Sequence, residues 1–433
     1  MSNALDVSWL IQKDRIHSDV YLDADIFERE IDILFSRHWI SIGHEGEIPG
    51  HGDYRQRLIG RQPVIFLRDD SGTVRVLMNR CTHRGNAVCQ NERGNSKGFT
   101  CSYHGWRFRL NGELATVPFP DRYGGDFDKS ALHLRQPAQV ASHRGFVFAT
   151  LNPDEVPLTE WLGPRVLAEL DDIADLSPLG ELLVNAGVHR LKFRANWKLM
   201  IENAIDGYHA GSVHRSYNES IAARTGVNLA SLATSSAPAR IVDLGNGHCA
   251  WDSRALLAAG AKSLPTMQSK GDAARAYEAA LIERHGKDRA AHLLSKSGSH
   301  LYIFPNFSYV GSHFRLFQPV SASETRVQLF PILLKGAPPD INARRLRMHE
   351  GFYGPAGIGG QSDDIEIFER NQLGLAARTD PWSIISRGIH LETRHDDGTV
   401  SGQITDELSN RTLWKRWRDL MTQPSEESAP CAR

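Results

Sequence analysis

The sequence predicts an α+β protein in which a small all-β domain is combined with a larger domain of antiparallel sheet and helices. Its 433 residues exceed what one ordinary hydrophobic core supports, so two domains are expected. Between about Trp39 and Asn152, short apolar or alternating runs are separated by Gly, Asp and Asn, which is typical of β-strands joined by turns. Beyond residue 155, strand-like and helix-like segments follow one another. We therefore expect an N-terminal helical part of the larger domain, the all-β domain, the remainder of the larger domain and a disordered tail, at residues 1–38, 39–155, 156–425 and 426–433.

The first elements in chain order are a helix and a series of strands. DADIFEREIDILF predicts a helix, because Asp23 and Asp25 are candidate caps and the apolar residues after them recur at roughly helical spacing. The strands of the all-β domain are expected in PVIFLRDD, TVRVLMN and GFVFATLN.

The larger domain begins with a strand in VNAGVHRLKFRA and a helix from Trp197 to about Ala210. LASLATSSAPAR is interpreted as a loop, and ARAYEAALIERHGKDRAAHLL as a helix. The remaining segments are three antiparallel strands, LYIFPNFSYV, HFRLFQPVSA and ETRVQLFPILL, followed by helices in INARRLRMHEGFYG and DDIEIFERNQLGLAA.

Composition argues against several classes of partner. Fifty Lys and Arg residues balance fifty-one Asp and Glu residues, so the net charge of -1 offers no basic surface to nucleic acid or an anionic membrane. The sequence has no signal-peptide pattern and no run of about 18 apolar residues, so we expect a cytoplasmic protein that does not span a membrane. Five cysteines are few and odd in number, which favours metal ligation over disulfides.

A first group of metal-binding residues lies in CTHRGNAVCQNERGNSKGFTCSYHGW. It combines Cys81-x-His83 with Cys101-x2-His104, and a glycine after each pair allows the backbone to turn. Zinc is the alternative interpretation, although Cys-x-His is shorter than the usual zinc spacing of about two to four intervening residues. The set fits a Rieske [2Fe-2S] cluster, in which two Cys hold one iron and two His hold the other. Cys89 is off this pattern, and we expect it to be a buried or loop thiol.

A second group lies in NWKLMIENAIDGYHAGSVH, residues 196–214. On a helix, Asp206 and His209 share a face because they are three residues apart, but His214 falls about 140° away from His209. A single metal therefore requires the helix to end or bend, and Ala210-Gly211 is a plausible break. Two ordinary core or surface histidines are the alternative interpretation.

A carboxylate for the same metal is available downstream. Asp363 and Asp364 open a helix in GQSDDIEIFERNQ. Two His and one carboxylate form the facial triad of non-haem Fe(II) enzymes, which leaves positions open for dioxygen and substrate. The alternative role of the two aspartates is to cap the helix N-terminus, and one residue can serve each role.

From about Phe27 to Met421 the chain resembles the α subunit of aromatic-ring-hydroxylating Rieske non-haem iron dioxygenases. The resemblance rests on CTHRG with CSYHGW, on NWKLMIENAIDGYH with His214, and on SDDIEIFERNQ followed by SRGI. The segments DGYHAGSVH and DDIEIFERNQ are most similar to the benzoate, toluate and anthranilate dioxygenase branch. The resemblance implies a small Rieske domain inserted into a larger domain of helix-grip fold, in which an antiparallel sheet curves around the iron.

The resemblance also implies roles for individual residues. The positions that match the cluster ligands are Cys81, His83, Cys101 and His104. The positions that match the iron ligands are His209, His214 and Asp364, with Asp363 as the fallback for the carboxylate. Asp206 matches the family's bridging aspartate, so electrons are expected to pass from His104 of one subunit through Asp206 to His209 of the next. Asn203 matches a residue near the iron whose amide positions water or oxygen.

The activity implied by the resemblance is cis-dihydroxylation of an aromatic ring with O2 and NADH, in the catabolism of aromatic compounds such as aromatic carboxylic acids. A Rieske monooxygenase that hydroxylates or demethylates an aromatic substrate is the alternative, and a zinc-stabilised binding module is the alternative from another class. No G-x-G-x-x-G motif follows a strand, so NADH is expected to bind a separate flavin and iron-sulfur reductase, with or without a ferredoxin. A head-to-tail homotrimer of α subunits, with or without a small β subunit, is expected.

Candidates for the substrate pocket come from the predicted strands of the larger domain. The aromatic candidates are Phe304, Phe307, Tyr309, Phe314 and Phe317. Aromatic strand residues more often belong to the core than to a pocket. Arg315 or Asn306 offers a cation or an amide for a carboxylate substrate.

Overall fold

The computed structural model of the chain describes residues 6–225, 238–255, 271–296, 299–354 and 360–423. The chain divides into two compact units. The smaller unit comprises Phe35–Trp161 and Leu182–Asn185, and the larger unit comprises Met1–Leu34, Leu162–Glu181 and Ala186–Arg433. The tail expected at 426–433 and most of LASLATSSAPAR lie outside the described residues.

The α-helices that the structure describes are α1 (Asp19–Leu22), α2 (Ala24–Ile33), α3 (Leu158–Asp175), α4 (Trp197–Ala204), α5 (Arg215–Thr225), α6 (Asp272–His285), α7 (Lys287–Ser295), α8 (Pro339–Tyr353), α9 (Gln361–Leu375) and α10 (Leu408–Met421). Helix α2 begins where the sequence predicts, because the Asp23 side chain accepts hydrogen bonds from the N–H groups of Asp25 and Ile26. Helix α3 is interrupted at Gly163, whose φ of 72° lies in the left-handed region.

Within Phe35–Trp161, the strands of the smaller unit are β2 (Ile40–His44), β3 (Asp53–Ile59), β4 (Gln62–Arg68), β5 (Val74–Met78), β6 (Arg93–Asn95), β7 (Phe99–Thr100), β8 (Arg107–Phe108), β9 (Leu114–Thr116), β10 (Gln139–His143) and β11 (Phe146–Thr150). They form antiparallel sheets in the orders β5-β4-β3-β6, β10-β11-β2 and β7-β8-β9. Strand β4 is fully buried from Val64 to Leu67, as expected for a continuous apolar run. The all-β prediction for this part of the chain is confirmed.

The remaining strands are β1 (Arg15–His17), β12 (Leu182–Leu183), β13 (His189–Phe193), β14 (Arg240–Gly245), β15 (His248–Asp252), β16 (His300–Ile303), β17 (Phe307–Val310), β18 (His313–Ser321), β19 (Glu324–Pro331), β20 (Leu333–Leu334), β21 (Trp382–Ile384), β22 (Thr393–Arg394) and β23 (Val400–Gln403). Nine of them form the main sheet of the larger unit, in the order β13-β19-β18-β17-β16-β15-β14-β23-β22. Helix α4 packs on β16, β17 and β18, and α10 packs on β14 and β15. The predicted α+β class is confirmed.

Within the described residues, no helix is both long enough and apolar enough to cross a membrane.

Four predicted elements of the larger unit were wrong in extent. ARAYEAALIERHGKDRAAHLL forms two helices, α6 and α7, because Gly286 between them has a positive φ of 81°. ETRVQLFPILL forms two strands, β19 and β20. LYIFPNFSYV forms two strands, β16 and β17, because Pro305 has no N–H to donate to a neighbouring strand. The helix expected from Trp197 to about Ala210 ends at Ala204. The reason is that the Asp206 carboxylate accepts the N–H of Tyr208 at 2.6 Å, a local turn that competes with helical hydrogen bonds.

A buried ion pair fixes helix α4. The segment that carries the candidate site follows the C-terminal end of this helix. Lys198 Nζ lies 2.6 and 2.8 Å from the two carboxylate oxygens of Glu30 on α2, and both side chains are at most 1% exposed. Trp197 Nε1 and Trp417 Nε1 also donate to Glu30, at 2.8 and 2.6 Å. Helices α2, α4 and α10 therefore meet at one carboxylate whose hydrogen bonds are satisfied.

Candidate metal centres

Two loops of the smaller unit have the same backbone geometry. One follows β5 and contains Cys81, and the other follows β7 and contains Cys101. In each loop the cysteine carbonyl accepts the N–H of a glycine four residues later, at 2.9 Å. Those glycines, Gly85 and Gly105, have φ angles of 77° and 74°, which side chains rarely adopt. The repeated turn explains why each Cys and His pair is followed by a glycine.

The loops bring the two thiols close to each other and the two imidazoles close to each other. Cys81 and Cys101 are 1% and 2% exposed, and the ring centroids of His83 and His104 are 4.7 Å apart. Among the described residues, the Nδ1 atoms of both histidines are buried and lack a hydrogen-bond partner. Buried polar atoms are normally paired, so two orphaned imidazole nitrogens beside two buried thiols fit a set of metal ligands.

The surroundings of the cluster residues support this fit. The His83 ring stacks on the buried Trp106 ring at a centroid distance of 4.8 Å and an interplanar angle of 7°. Burial raises the pKa of the Cys81 thiol. Burial also raises the pKa of Cys101, but N–H groups in its own loop outweigh this effect and hold the pKa below its ordinary value. A thiolate at Cys101 is therefore stabilised by the turn that positions it.

Cys89 has a separate environment. Its thiol donates to the Asn91 carbonyl at 3.4 Å, and the Asn79 side chain accepts its backbone N–H at 2.9 Å. The residue is 4% exposed. The structure therefore places Cys89 as a buried thiol with its own hydrogen bonds.

Asp206, His209 and His214 lie in an irregular segment between α4 and α5, so Asp206 and His209 do not share a helical face as the sequence predicts. A short 3-10 turn spans His209–Gly211. Gly207 packs against Ile404 so closely that a Cβ there would lie 2.7 Å from the Ile404 carbonyl oxygen. The turn dipeptide Asp206-Gly207 was the sequence signal for the early end of α4.

The segment meets the first turn of α9 at three ligand atoms. His209 Nε2 lies 3.2 Å from His214 Nε2 and 3.7 Å from Asp364 Oδ1, and His214 Nε2 lies 3.3 Å from Asp364 Oδ1. Atoms bound about 2.1 Å from one cation are separated by about 3.0–3.4 Å at angles from 90° to tetrahedral, close to these distances. Among the described residues, these three side chains form a group able to hold a metal ion.

Hydrogen bonds around the three ligand atoms fix their orientation. Asp206 Oδ2 lies 3.0 Å from His209 Nδ1, which assigns the proton to Nδ1 and leaves the Nε2 lone pair free for a metal. Asn203 Nδ2 donates to Asp364 Oδ1 at 3.2 Å and lies 3.1 Å from His209 Nε2. Burial raises the pKa of Asp364, because the charged carboxylate loses its contact with water. A cation bound beside the carboxylate would lower this pKa again and stabilise the charged form.

The adjacent aspartate is placed differently. Asp363 is half-buried in the first turn of α9, and its carboxylate is not part of the three-residue group. Its backbone N–H donates to the Gly360 carbonyl at 3.0 Å. Asp364, and not the fallback Asp363, therefore lies in the group with the two histidines.

The pocket candidates fall on both faces of the main sheet. Phe307 and Tyr309 pair across the sheet with Leu316 and Phe314, so these side chains share one face. Arg315 and Phe317 alternate with Phe314 along β18 and therefore lie on the opposite face. Phe304 and Asn306 lie between β16 and β17. Sequence reasoning missed Phe352, whose ring is 4.9 Å from that of His214.

Comparison with known proteins places the chain in a family. Residues 38–138 match the Rieske [2Fe-2S] domain, and residues 181–423 match the catalytic domain of the ring hydroxylating alpha subunit. The chain is 33% identical over 389 residues to the large subunit of anthranilate 1,2-dioxygenase from Acinetobacter baylyi, covering 88% of this chain and 81% of that protein. It is 32% identical to the alpha subunit of toluate 1,2-dioxygenase from Pseudomonas putida, covering 91% and 86%.

Solved structures agree with this placement. A naphthalene 1,2-dioxygenase with indole bound in its active site superposes with a TM-score of 0.79 at 27% identity, covering 97% of this chain and 95% of the other. The naphthalene 1,2-dioxygenase from Rhodococcus sp., also bound to indole, superposes with a TM-score of 0.80 at 25% identity and covers 95% of each chain. The family inferred from the motifs is confirmed. The chain therefore belongs to the ring-hydroxylating oxygenase α subunits, in which a Rieske [2Fe-2S] domain and a non-haem iron catalytic domain share one polypeptide.

Proposed function

We propose that this chain is the terminal oxygenase component of a multicomponent dioxygenase that converts an aromatic carboxylic acid to a cis-dihydrodiol. The observation that carries the proposal is the convergence of two imidazole nitrogens and one carboxylate oxygen within 3.7 Å of one another. Relatives named for anthranilate, 2-halobenzoate and toluate support an aromatic acid as the substrate.

In this proposal the smaller unit holds the [2Fe-2S] cluster. The thiolates of Cys81 and Cys101 bind one iron, and the orphaned Nδ1 atoms of His83 and His104 bind the other. Two neutral imidazoles carry less negative charge than two thiolates, so the reduction potential lies in the range of about -150 to +300 mV, well above about -400 mV for plant-type clusters.

His209, His214 and Asp364 hold the non-haem iron, which activates dioxygen beside the substrate when it is bound. Asp206 keeps the proton of His209 on Nδ1, so that Nε2 remains a ligand. The Asn203 amide donates to Asp364 and is positioned to hold water or oxygen near the iron. The protein thus contributes ligand orientation and substrate positioning.

Electron delivery depends on other chains. The family functions with a separate reductase, and we assign NADH to a flavin and iron-sulfur reductase, with or without a ferredoxin. We also propose a head-to-tail homotrimer, with or without a small β subunit, in which His104 of one subunit contacts Asp206 of the next. The Asp206 side chain is 26% exposed, which leaves it accessible to such a partner. A cytoplasmic location fits the sparse, odd set of cysteines.

Oxygen consumption with a panel of substituted benzoates and a compatible reductase tests the proposal. Product formed from labelled dioxygen should carry two labelled oxygen atoms in a cis-diol. One labelled atom instead identifies a monooxygenase. A colourless, zinc-containing protein without acid-labile sulfide contradicts both oxygenase functions.

A further inference from the structure

One face of the main sheet carries a cluster of basic and hydroxyl side chains near the iron ligands. Arg315 on β18 is paired with Ser308 on β17 and with Leu329 on β19, which in turn is paired with His189 on β13. Cross-strand partners share a face, and His313 is two residues from Arg315 on the same face. Arg315, Ser308 and His313 are therefore neighbours on one surface of the sheet, and His189 lies on the same surface beyond Leu329.

Arg315 is buried without a carboxylate partner. It is 3% exposed, and its Nε donates to His313 Nε2 at 3.1 Å. Its guanidinium lies 5.0 Å from the centroid of the Tyr353 ring on α8. Among the described residues, no Asp or Glu lies within ion-pair distance of Arg315, although the Asp364 carboxylate attracts it from farther away. The charge of this buried guanidinium is therefore only partly compensated, and the site is suited to an anionic ligand.

Neighbouring polar groups also lack partners. Within the described ranges, Ser308 Oγ, His313 Nδ1 and both ring nitrogens of His349 are buried without a hydrogen bond. The His313 and His349 rings are 4.7 Å apart. Because Nε2 of His313 accepts from Arg315, Nδ1 of His313 carries a proton and is a free donor. These unsatisfied donors beside a buried guanidinium match the oxygen atoms of a carboxylate.

The cluster is connected to the iron ligands through two aromatic rings. Tyr353, which covers Arg315, lies 4.5 Å from Phe352, and Phe352 lies 4.9 Å from His214. The charges of Arg315 and Asp364 also interact, so the cluster lies in the neighbourhood of the candidate iron ligands. When divalent iron is bound by one carboxylate, the iron and Arg315 leave a net positive charge in this buried region, which favours an anionic substrate.

A cation is the competing ligand for this region, because His189, His349 and Glu350 form a second group able to hold a metal. His189 Nε2 is already paired with Glu350 Oε1 at 2.9 Å, and the Glu350 side chain is 55% exposed. Arg315 and the donor proton of His313 lie beside His349 and disfavour a further positive charge there. Electrostatics therefore favours an anion.

We propose that Arg315, together with the Nδ1–H of His313, binds the carboxylate of the aromatic substrate and thereby determines specificity for aromatic acids. This inference rests on the proposed oxygenase function, and it adds the residue that recognises the acid. A guanidinium presents two parallel N–H donors to the two oxygens of a carboxylate, which a neutral arene cannot use.

Calorimetric titration of the metal-loaded protein with benzoate and with nitrobenzene, its neutral isostere, tests the inference without turnover. The wild type should bind benzoate more tightly than nitrobenzene. Arg315→Met should weaken benzoate binding by about 10- to 100-fold and leave nitrobenzene binding little changed. Arg345→Met is the matched control, because Arg345 is also buried but donates to the main-chain carbonyls of Ile332 and Gly311. It should leave the ratio of the two affinities unchanged.

The inference is overturned if Arg315→Met leaves the ratio of the benzoate and nitrobenzene affinities unchanged, or if the wild type binds the two compounds equally well. If Arg315→Met does not fold, Arg315→Lys provides the same comparison, because it keeps the charge but loses the planar fork and should lower the ratio by a smaller factor. Product analysis separates the two proposals. A diol formed from nitrobenzene with an unchanged ratio retains the oxygenase and rejects the Arg315 role. If Arg315→Met changes the ratio of the benzoate and nitrobenzene affinities but the wild type oxidises no arene, the acid-binding role of Arg315 stands and the oxygenase function is rejected.

Discussion

Asp206 Oδ2 lies 3.0 Å from His209 Nδ1, and this contact turns His209 Nε2 toward His214 and Asp364. The other carboxylate oxygen of Asp206 accepts the N–H of Tyr208 at 2.6 Å, so the aspartate is held by the turn that ends α4. One carboxylate thus shapes the backbone and orients a proposed metal ligand.

We expect Asp206→Ala to retain both metal centres and to lose turnover by about 100-fold, because the aspartate orients His209 and, in the proposed trimer, contacts the neighbouring subunit. Iron and sulfide content should match the wild type, while oxygen consumption with reductase falls. Full activity in this variant rejects the proposed route for electrons.

Replacement of Cys81 tests the cluster. Cys81→Ser should abolish the visible absorption and the EPR signal of the reduced cluster, because the buried thiolate is lost. Cys89→Ser is the matched control, since Cys89 is also buried but donates to the Asn91 carbonyl. A cluster lost in both variants, or in neither, contradicts the assignment.

The adjacent aspartates of α9 provide a test of the iron site. Asp364→Ala should lower the iron content from about three to about two atoms per chain and leave the cluster spectrum intact. Asp363→Ala should keep the full iron content, because this half-buried side chain is not part of the ligand group. The reverse result assigns the ligand to Asp363.

Glu202 should make stability depend on pH. Tyr21 Oη and Trp414 Nε1 both donate to Glu202 Oε1, at 2.7 and 2.6 Å. Burial raises the pKa of Glu202 to about 7. Because this pKa exceeds that of the unfolded chain, the protonated carboxyl stabilises the fold at low pH, and the contribution is lost as the pH rises through about 7.

We therefore expect this group to lower the free energy of unfolding by about 2 kcal/mol between about pH 5 and about pH 8. Glu202→Gln, whose amide oxygen accepts the same two hydrogen bonds, should remove that part of the pH dependence in urea unfolding curves. An identical pH dependence in the variant contradicts the assignment to Glu202.

The buried pair of Glu30 and Lys198 should dominate the stability of the helices around α4. Lys198→Met leaves the Glu30 carboxylate buried without its cation, and we expect a loss of roughly 3–5 kcal/mol in the free energy of unfolding. Lys415→Met breaks an exposed pair with Asp419 and should cost less than about 0.5 kcal/mol. Equal losses in urea unfolding contradict this ranking.

The sequence predicted the fold class and the ligand candidates because both depend on local patterns. Cys81-x-His83 and Cys101-x2-His104 are short enough for spacing alone to bring each pair together. The end of α4 was placed wrongly because helical periodicity was weighed above the turn dipeptide Asp206-Gly207.

The lining of the substrate pocket was harder to predict, because it depends on contacts between residues far apart in sequence. Alternation in HFRLF places His313 and Arg315 on one face. Only the folded chain shows that Tyr353 and His349, from a helix, cover that face. That Arg315 forms no ion pair with a described Asp or Glu, although Asp364 attracts it, is likewise a property of the tertiary structure.

The interruption between α4 and α5 has a consequence for how ligand spacing can change. His209 begins a short 3-10 helix and His214 directly precedes α5, but the residues between these two elements are not part of a helix, so we expect the turn there to absorb one added residue. Asp364 sits on regular α9, four residues before the buried Phe368. One residue inserted between Asp364 and Phe368 rotates the carboxylate by about 100° away from the histidines. We therefore expect the segment between α4 and α5 to tolerate a change in length, and the first turn of α9 to lose the site when its length changes.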